Sequence, residues 1–380
     1  MKKIAILCGR YLPGYKDGGP VRTLINLVSC FGKEYNFKII TNDRDHGDMV
    51  PYPEISYDKP NKVLNADVWY LKPGGFTKRK ILELTSDSNL VYVFGPFDDY
   101  AYKTMWLKRT GRIKQPVYIA SMGSFSQGAF QIKRTKKELF IKMLKILGCF
   151  KKIIWSVTSN IEEIDVKRVI GYDAKCVIAE DLPRKVNDIT FYKRQEKKGP
   201  LKLVFISRIC KKKNLTYAID ILMELKCDIQ FDIYGHLEDE EYWFECKKKI
   251  DRLPSNIKVN YIGIADSENV ISIFSQYDVF LFPTLGENFG HVIFESLAGG
   301  CIPIISDQTP WNDLDVENCG RVLSLSNMES FSREIESISL LSIEELNVMK
   351  CSANQYAKKK YLESVNNSGY KYIFDNMEQI

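Results

Sequence analysis

A chain of 380 residues exceeds what one ordinary hydrophobic core holds, so two domains of comparable size are expected. A hydrophobic share of 45% and a charged share of 27% are those of a globular protein. The absence of any run of about 18 apolar residues excludes a transmembrane helix. The formal net charge of +6 is too modest to call for a nucleic-acid partner and matters only where it clusters.

The first element is KIAILC. Lys2 and Lys3 precede an apolar run from Ile4 to Cys8 that Gly9 and Arg10 interrupt, which is short for a signal-peptide core and suits a buried strand. A cytoplasmic chain is therefore expected. A loop carrying Gly18-Gly19-Pro20 follows, and then FKIIT, DVWYL, NLVYVFG, PVYIAS and CVIAE read as further strands. Helix-length amphipathic segments separate them. FGPFDDYAYKTMW, rich in aromatics, is either core or a lip for an acceptor. From Lys133 to Trp155, KRTKKELFIKMLKILGCFKKIIW interleaves basic and apolar residues at helical spacing. It predicts a basic helix that either rests on an anionic membrane or buries its apolar face in its own domain.

Arg184 to Pro200, RKVNDITFYKRQEKKGP, is polar and charged and reads as a linker. A second alternating set follows with LKLVFIS, IQFDIYG, KVNYIG, DVFLFP and CIPIIS. The expectation is α/β, two doubly wound domains at residues 1–185 and 200–358. A polar helix is expected from about Ser352 on, and the last stretch, about 360–380, is expected to pack back on the first domain. Ten cysteines stand singly without a C-x-x-C pair and read as reduced, packed thiols. His46, His236 and His291 lie too far apart in sequence to suggest a structural zinc site.

In open α/β sheets ligands bind beyond the carboxyl ends of the strands, which singles out three loops. They carry Gly18 and Gly19, then Arg208 and Lys213, then Glu287. The densest stretch is FPTLGENFGHVIFESLAGGCIPIISD, where Glu287 in a loop and Glu295 in the following helix stand eight positions apart. Two carboxylates suit a polyhydroxylated ligand, and the loop's backbone N–H groups suit an anion. A sugar attached to a phosphate needs both. Gly18 and Gly19 either let the backbone approach such a ligand closely or simply make a tight turn.

SRICKKKNL, DIYGHLEDE, YIGIADSENVISIFSQYDVFLFP and GENFGHVIFESLAGGCIPIISD, in this order and with the E-x7-E spacing, resemble the retaining glycosyltransferases of family 4. That family has the GT-B fold, in which two Rossmann-like domains face each other across a cleft. GRYLPGYKDGGPVRTLINL, TNDRDHGD and SMGSFSQGAFQIKRTKKELFIKML resemble the subset that builds bacterial surface polysaccharides. Two positions depart from the resemblance: Met122 stands where that subset commonly has Arg, and Asn214 follows Lys213 where many relatives have Gly.

The resemblance implies a nucleotide-diphosphate sugar as donor, a hexosyl-type transferred group, a glycan or lipid-linked saccharide as acceptor and no metal. Arg208 and Lys213 would hold the diphosphate, since a departing phosphate needs fixed positive potential; the alternative is two solvated cations in a basic stretch. Glu287 would contact the transferred sugar and Glu295 the ribose hydroxyls, or else cap a helix start. Gly290, with the backbone of Asn288, Phe289, His291 and Val292, would cradle phosphate or sugar hydroxyls. Gly235, Gly263 and Ile264 would lie near the base. Front-face attack needs no dedicated protein base. A lipid-linked acceptor would place the protein at the inner face of the cytoplasmic membrane. Asp43-Arg44-Asp45 and Asp313-Leu314-Asp315 match a metal-binding D-x-D pattern of another fold and read as coincidence. Two other activities remain open: a sugar-nucleotide 2-epimerase of the same fold, and a non-catalytic sugar-nucleotide or membrane-binding protein.

Overall fold

The computed structural model describes every residue except 17, 127–129, 131–133, 186–192, 194–198, 267 and 378–380. The chain divides into two compact units, residues 1–185 with 363–380, and residues 186–362.

The first unit holds strands β1 Lys3–Leu7, β2 Asn36–Asn42, β3 Asn61–Val63, β4 Ala66–Leu71, β5 Leu90–Phe94, β6 Val117–Ala120, β7 Ile153–Val157 and β8 Lys175–Ile178. They form one sheet in the order β3-β4-β2-β1-β5-β6-β7-β8, in which the β3–β4 pair is antiparallel and the other pairs are parallel. Helices α1 Gly19–Phe31, α2 Lys78–Thr85, α3 Asp99–Arg109, α4 Arg134–Ile146 and α5 Asn160–Ile170 connect the strands. Side chains alternate across the sheet: Ile4, Ile6 and Tyr92 enter one apolar cluster, and Ala5, Leu7, Val91 and Val93 enter another. Both faces are therefore covered, which is why these strands read as continuous apolar runs.

The basic helix expected from Lys133 to Trp155 is shorter. Lys133 lies outside the described residues, and α4 ends at Ile146. Gly148 then takes a left-handed φ of 64°. The Cys149 and Gly148 amides donate to the Leu144 and Lys145 carbonyls, the double bond of a Schellman stop. Ile153 to Val157 becomes strand β7, buried throughout, with Trp155 in the core. The short strand β3 was also not legible as an apolar run.

The second unit holds β9 Leu201–Ile206, a 3-10 turn at Lys211–Lys213, α6 Leu215–Met223, β10 Ile229–Tyr234, α7 Glu240–Ile250, β11 Ile257–Gly263, α8 Val270–Ser275, β12 Val279–Phe282, α9 His291–Ala298, β13 Ile302–Ser306, β14 Arg321–Leu323 and α10 Met328–Leu340. Its sheet is parallel, in the order β11-β10-β9-β12-β13-β14. The strand order reverses between β9 and β12, so this unit's switch point lies between the loops that follow them.

Helix α11, Ile343–Asn366, lends Leu346, Met349, Ala353 and Tyr356 to the second unit's core. Helix α12, Gly369–Asp375, belongs to the first unit, where Tyr370, Ile373 and Phe374 are buried. It seats closely: a Cβ on Gly369 would lie 2.0 Å from the Ile178 carbonyl oxygen. The Tyr35 hydroxyl donates to Asp375 Oδ1 at 2.7 Å.

Candidate functional site

Strand β9 ends at Ile206, and the chain turns through Arg208 into the 3-10 turn that ends on Lys213. Asn214 then adopts a left-handed conformation, φ 60° and ψ 40°, before α6 begins. Asn tolerates this region better than most residues, and its Nδ2 donates to the Pro283 carbonyl at 2.9 Å. That accounts for the departure from Gly: the turn needs positive φ, and Asn supplies it while tying the loop to the end of β12.

Across the switch point, β12 delivers Thr284 and Glu287. Lys213 Nζ donates to Glu287 Oε1 at 2.5 Å, and the Thr284 hydroxyl lies 3.0 Å from the same oxygen. The two charged side chains retain only 11% and 12% of their accessible surface. Lys213 Nζ also sits 5.6 Å from the centre of the Phe282 ring. The Glu287 and Leu285 amides donate to the Gln308 and Lys212 carbonyls, and Ser306 Oγ donates to the Thr284 carbonyl at 2.5 Å. The pair is thus held from β9, β12 and the end of β13. Thr284 went unnoticed in the sequence; its place at a strand end three residues before Glu287 was the available signal.

Helix α9 begins directly after this loop. Gly290 caps it in a left-handed conformation, φ 79° and ψ 57°, with no side-chain cap and no acid in the first turn. Such a start presents backbone N–H groups and the positive end of the helix dipole. Phe289 steers the approach: its carbonyl accepts from Trp311 Nε1 at 2.5 Å, and its ring packs on His291 with centroids 4.8 Å apart. Asn288 is exposed, Val292 is half-buried, and Glu295 is buried one turn into α9.

Arg208 does not join the Lys213–Glu287 pair; it forms an ion pair with Glu238 and stays half exposed. Gly235 is required by packing, because a Cβ there would lie 1.8 Å from the Ser207 carbonyl oxygen. Its amide donates to the Gly263 carbonyl at 2.7 Å, which sets Gly263 and the exposed Ile264 beside it. In the first unit, Gly18 starts α1 with φ 63°, and among the described residues no side chain caps that helix. Among the described residues a Cβ on Gly18 or Gly19 would meet nothing within 4 Å, so no described contact demands glycine at position 19.

Met122 is itself left-handed, φ 50°, with Gly123 at φ 67° after it. Glu162 accepts from the Gly123 amide and from the Thr158 amide and hydroxyl, which fastens this turn to the end of β7. Both D-x-D segments have structural partners. Asp43 binds Arg44 and the Tyr57 hydroxyl, and Asp45 accepts from the Tyr15 amide. Asp313 binds Tyr356 and Lys360, and Asp315 accepts from the Val322 amide. Among the described residues no three His, Cys, Asp or Glu side chains converge on a metal-sized site.

Residues 187–358 match the family of glycosyl transferases group 1. A stretch of 120 residues is 28% identical to the UDP-N-acetylglucosamine–peptide N-acetylglucosaminyltransferase GtfA subunit of Streptococcus agalactiae, covering 30% of this chain and 22% of that protein. The GtfA subunit of Streptococcus pneumoniae serotype 4 is 25% identical over 117 residues, with the same shares. The match thus spans less than a quarter of the length of these curated relatives. Similar solved folds include HepE of Anabaena with UDP and glucose (TM-score 0.69, 13% identity, 99% of this chain and 100% of that one). Sucrose-phosphate synthase of Thermosynechococcus elongatus gives TM-score 0.69, 15% identity and the same coverage. WaaG, a glycosyltransferase of lipopolysaccharide biosynthesis, gives 0.64, 13% and again the same coverage. The chain has the GT-B fold of these neighbours, and its second unit carries the match to glycosyl transferases group 1.

Proposed function

We propose that this chain is a retaining, metal-independent hexosyltransferase of family 4 that moves a sugar from a nucleotide diphosphate to a surface-polysaccharide acceptor, lipid-linked and presented at the inner face of the cytoplasmic membrane. The observation that carries this reading is the Lys213–Glu287 pair at the switch point of the second unit, beside the open start of α9. A cation, a fixed carboxylate and a helix N-terminus are what a diphosphate joined to a sugar requires at one place.

In this scheme Lys213 and Arg208 hold the diphosphate and stabilise the charge that develops on it as the bond from the anomeric carbon to the phosphate oxygen breaks. Glu287, kept in one rotamer by Lys213 and Thr284, faces the sugar and favours positive character at the anomeric carbon. The acceptor oxygen bonds to that carbon on the face the phosphate leaves, and its proton passes to the departing phosphate. Glu295 takes the ribose hydroxyls, the backbone from Asn288 to Val292 with Gly290 takes the phosphate or sugar, and Gly235, Gly263 and Ile264 adjoin the base. Gly18 and Gly19 offer open backbone to a ligand on the first unit, a role that the space at Gly19 favours. The basic outer face of α4 supplies the membrane contact.

A thermal-shift screen of UDP- and GDP-sugars tests the reading, because a bound donor raises the unfolding temperature by mass action. One nucleotide series should stabilise the parent protein and lose that effect in Lys213→Met. Stabilisation that survives the substitution would remove Lys213 from the donor site. Conversion of a donor, incubated alone, into its C2 epimer would favour the epimerase instead.

A further inference from the structure

Between α4 and α5 lies a cavity of about 530 Å³ lined by Arg134, Lys142, Lys145 and Arg168, with Glu138 as its carboxylate and Phe130, Ile141 and Val169 as its apolar wall. Two of the cations are engaged: Arg134 with Glu138 at 2.7 Å, and Arg168 with Asp165 at 2.8 Å. Lys142 and Lys145 are exposed, and neither has an ion-pair partner among the described residues. The cavity therefore carries uncompensated positive charge over an apolar floor.

At 3.6 residues per turn α4 has three faces. Ile141 and Leu144 enter the core. Arg134, Glu138, Lys142 and Lys145 face the cavity. On the remaining side Leu139 and Ile146 are 71% and 78% exposed, and Met143 and Leu147 stand exposed beside them. A solvated surface helix would put polar residues there. An apolar stripe bordering a basic cavity matches a ligand with an anionic head and a hydrocarbon body.

We propose that this cavity binds the phosphate of a phosphate-bearing lipid, whose hydrocarbon part lies along Leu139, Met143 and Ile146. Two Nζ cations, Lys142 and Lys145, match the one to two negative charges and several acceptor oxygens of a phosphate better than the single charge of a carboxylate, and the cavity is large enough to admit one. The site rests on the membrane contact proposed for α4 and gives that contact a chemical preference. It shares no residue with the proposed donor site, so it can be tested without any sugar nucleotide.

The test is co-flotation of the full chain with three kinds of vesicle: phosphatidylcholine alone, phosphatidylcholine with phosphatidic acid, and phosphatidylcholine with a carboxylate-headed amphiphile at matched surface charge. Phosphatidic acid should bind best, in a salt-sensitive manner. Joint substitution Lys142→Gln and Lys145→Gln should weaken that binding about 30-fold at unchanged unfolding temperature. Equal binding to both anionic vesicles would overturn the phosphate site and leave the membrane contact standing. No flotation with either would overturn both. If millimolar inorganic phosphate saturates the cavity and abolishes the preference for phosphatidic acid, the ligand is a soluble phosphate and the lipid assignment fails.

Discussion

Lys213 and Glu287 are each nearly buried and each neutralises the other, so removing one leaves an uncompensated charge at the end of the sheet. Lys213→Met and Glu287→Gln should each lower unfolding stability by about 3 kcal/mol, while the double variant should recover much of that loss. Urea unfolding of the four proteins checks it; additive losses would mean that the pair is not coupled. For donor use, Lys213→Ala should cost more than tenfold in kcat/KM, and Glu287→Ala should abolish transfer. The glycines divide by the same logic. Gly235→Ala must displace the Ser207 carbonyl and should lower the unfolding temperature sharply, whereas Gly19→Ala meets nothing among the described residues and should leave it unchanged. A loss of donor turnover in Gly19→Ala at full stability would place a ligand against that backbone. Undiminished turnover would make the residue part of a turn only.

Among the elements, α4 and β7 show how far the sequence can be read. The run from Lys133 to Trp155 has helical spacing throughout, yet the stop depends on Gly148 adopting positive φ and on the turn that the Lys151 and Ile153 amides close onto the Gly148 and Phe150 carbonyls before β7. Periodicity alone cannot separate a short apolar run in a buried strand from the end of a helix. The fully buried β7 should therefore respond unlike the exposed face of α4. Trp155→Ala should cost about 3–5 kcal/mol by urea unfolding, whereas Leu139→Ser should stay within about 0.5 kcal/mol. Comparable losses would contradict the boundary. The two doubly wound sheets were legible because strands covered on both faces are continuous apolar runs, as in VYVF and VFLF. The three-residue strands β3 and β14 were too short to leave such a trace. Glu287 and Lys213 were each legible, but not their union, since it depends on β9 and β12 lying side by side, a pairing between segments far apart in the chain.

For the molecule as a whole, the buried Asp181 couples folding to pH. Burial, reinforced by the Glu162 carboxylate and opposed by a hydrogen bond from Thr23, pushes its carboxyl from the ordinary 3.8 up to about 7. Tyr92 and Tyr370 also feel its charge. With the folded value above the unfolded one, the native state holds the extra proton between about pH 4 and pH 7. The stability it contributes is full at low pH and is lost as pH rises through 7. Asp181→Asn removes that loss. Its gain over the parent should grow from pH 4 to pH 7, by at most about 1.4 kcal/mol per pH unit, and then level off. A pH-independent difference would show that Asp181 does not titrate with folding.

Glycosyl transfer from a sugar nucleotide bound beside Lys213 and Glu287 is the central proposal. The direct measurement is proton NMR of the parent chain with UDP- and GDP-sugars and a membrane extract containing lipid-linked saccharides, with Glu287→Ala in parallel. The parent should release nucleoside diphosphate in step with a new linkage of the donor's own anomeric configuration, and the variant should not. An inverted linkage, a C2-epimerised donor or undiminished transfer by Glu287→Ala would contradict it.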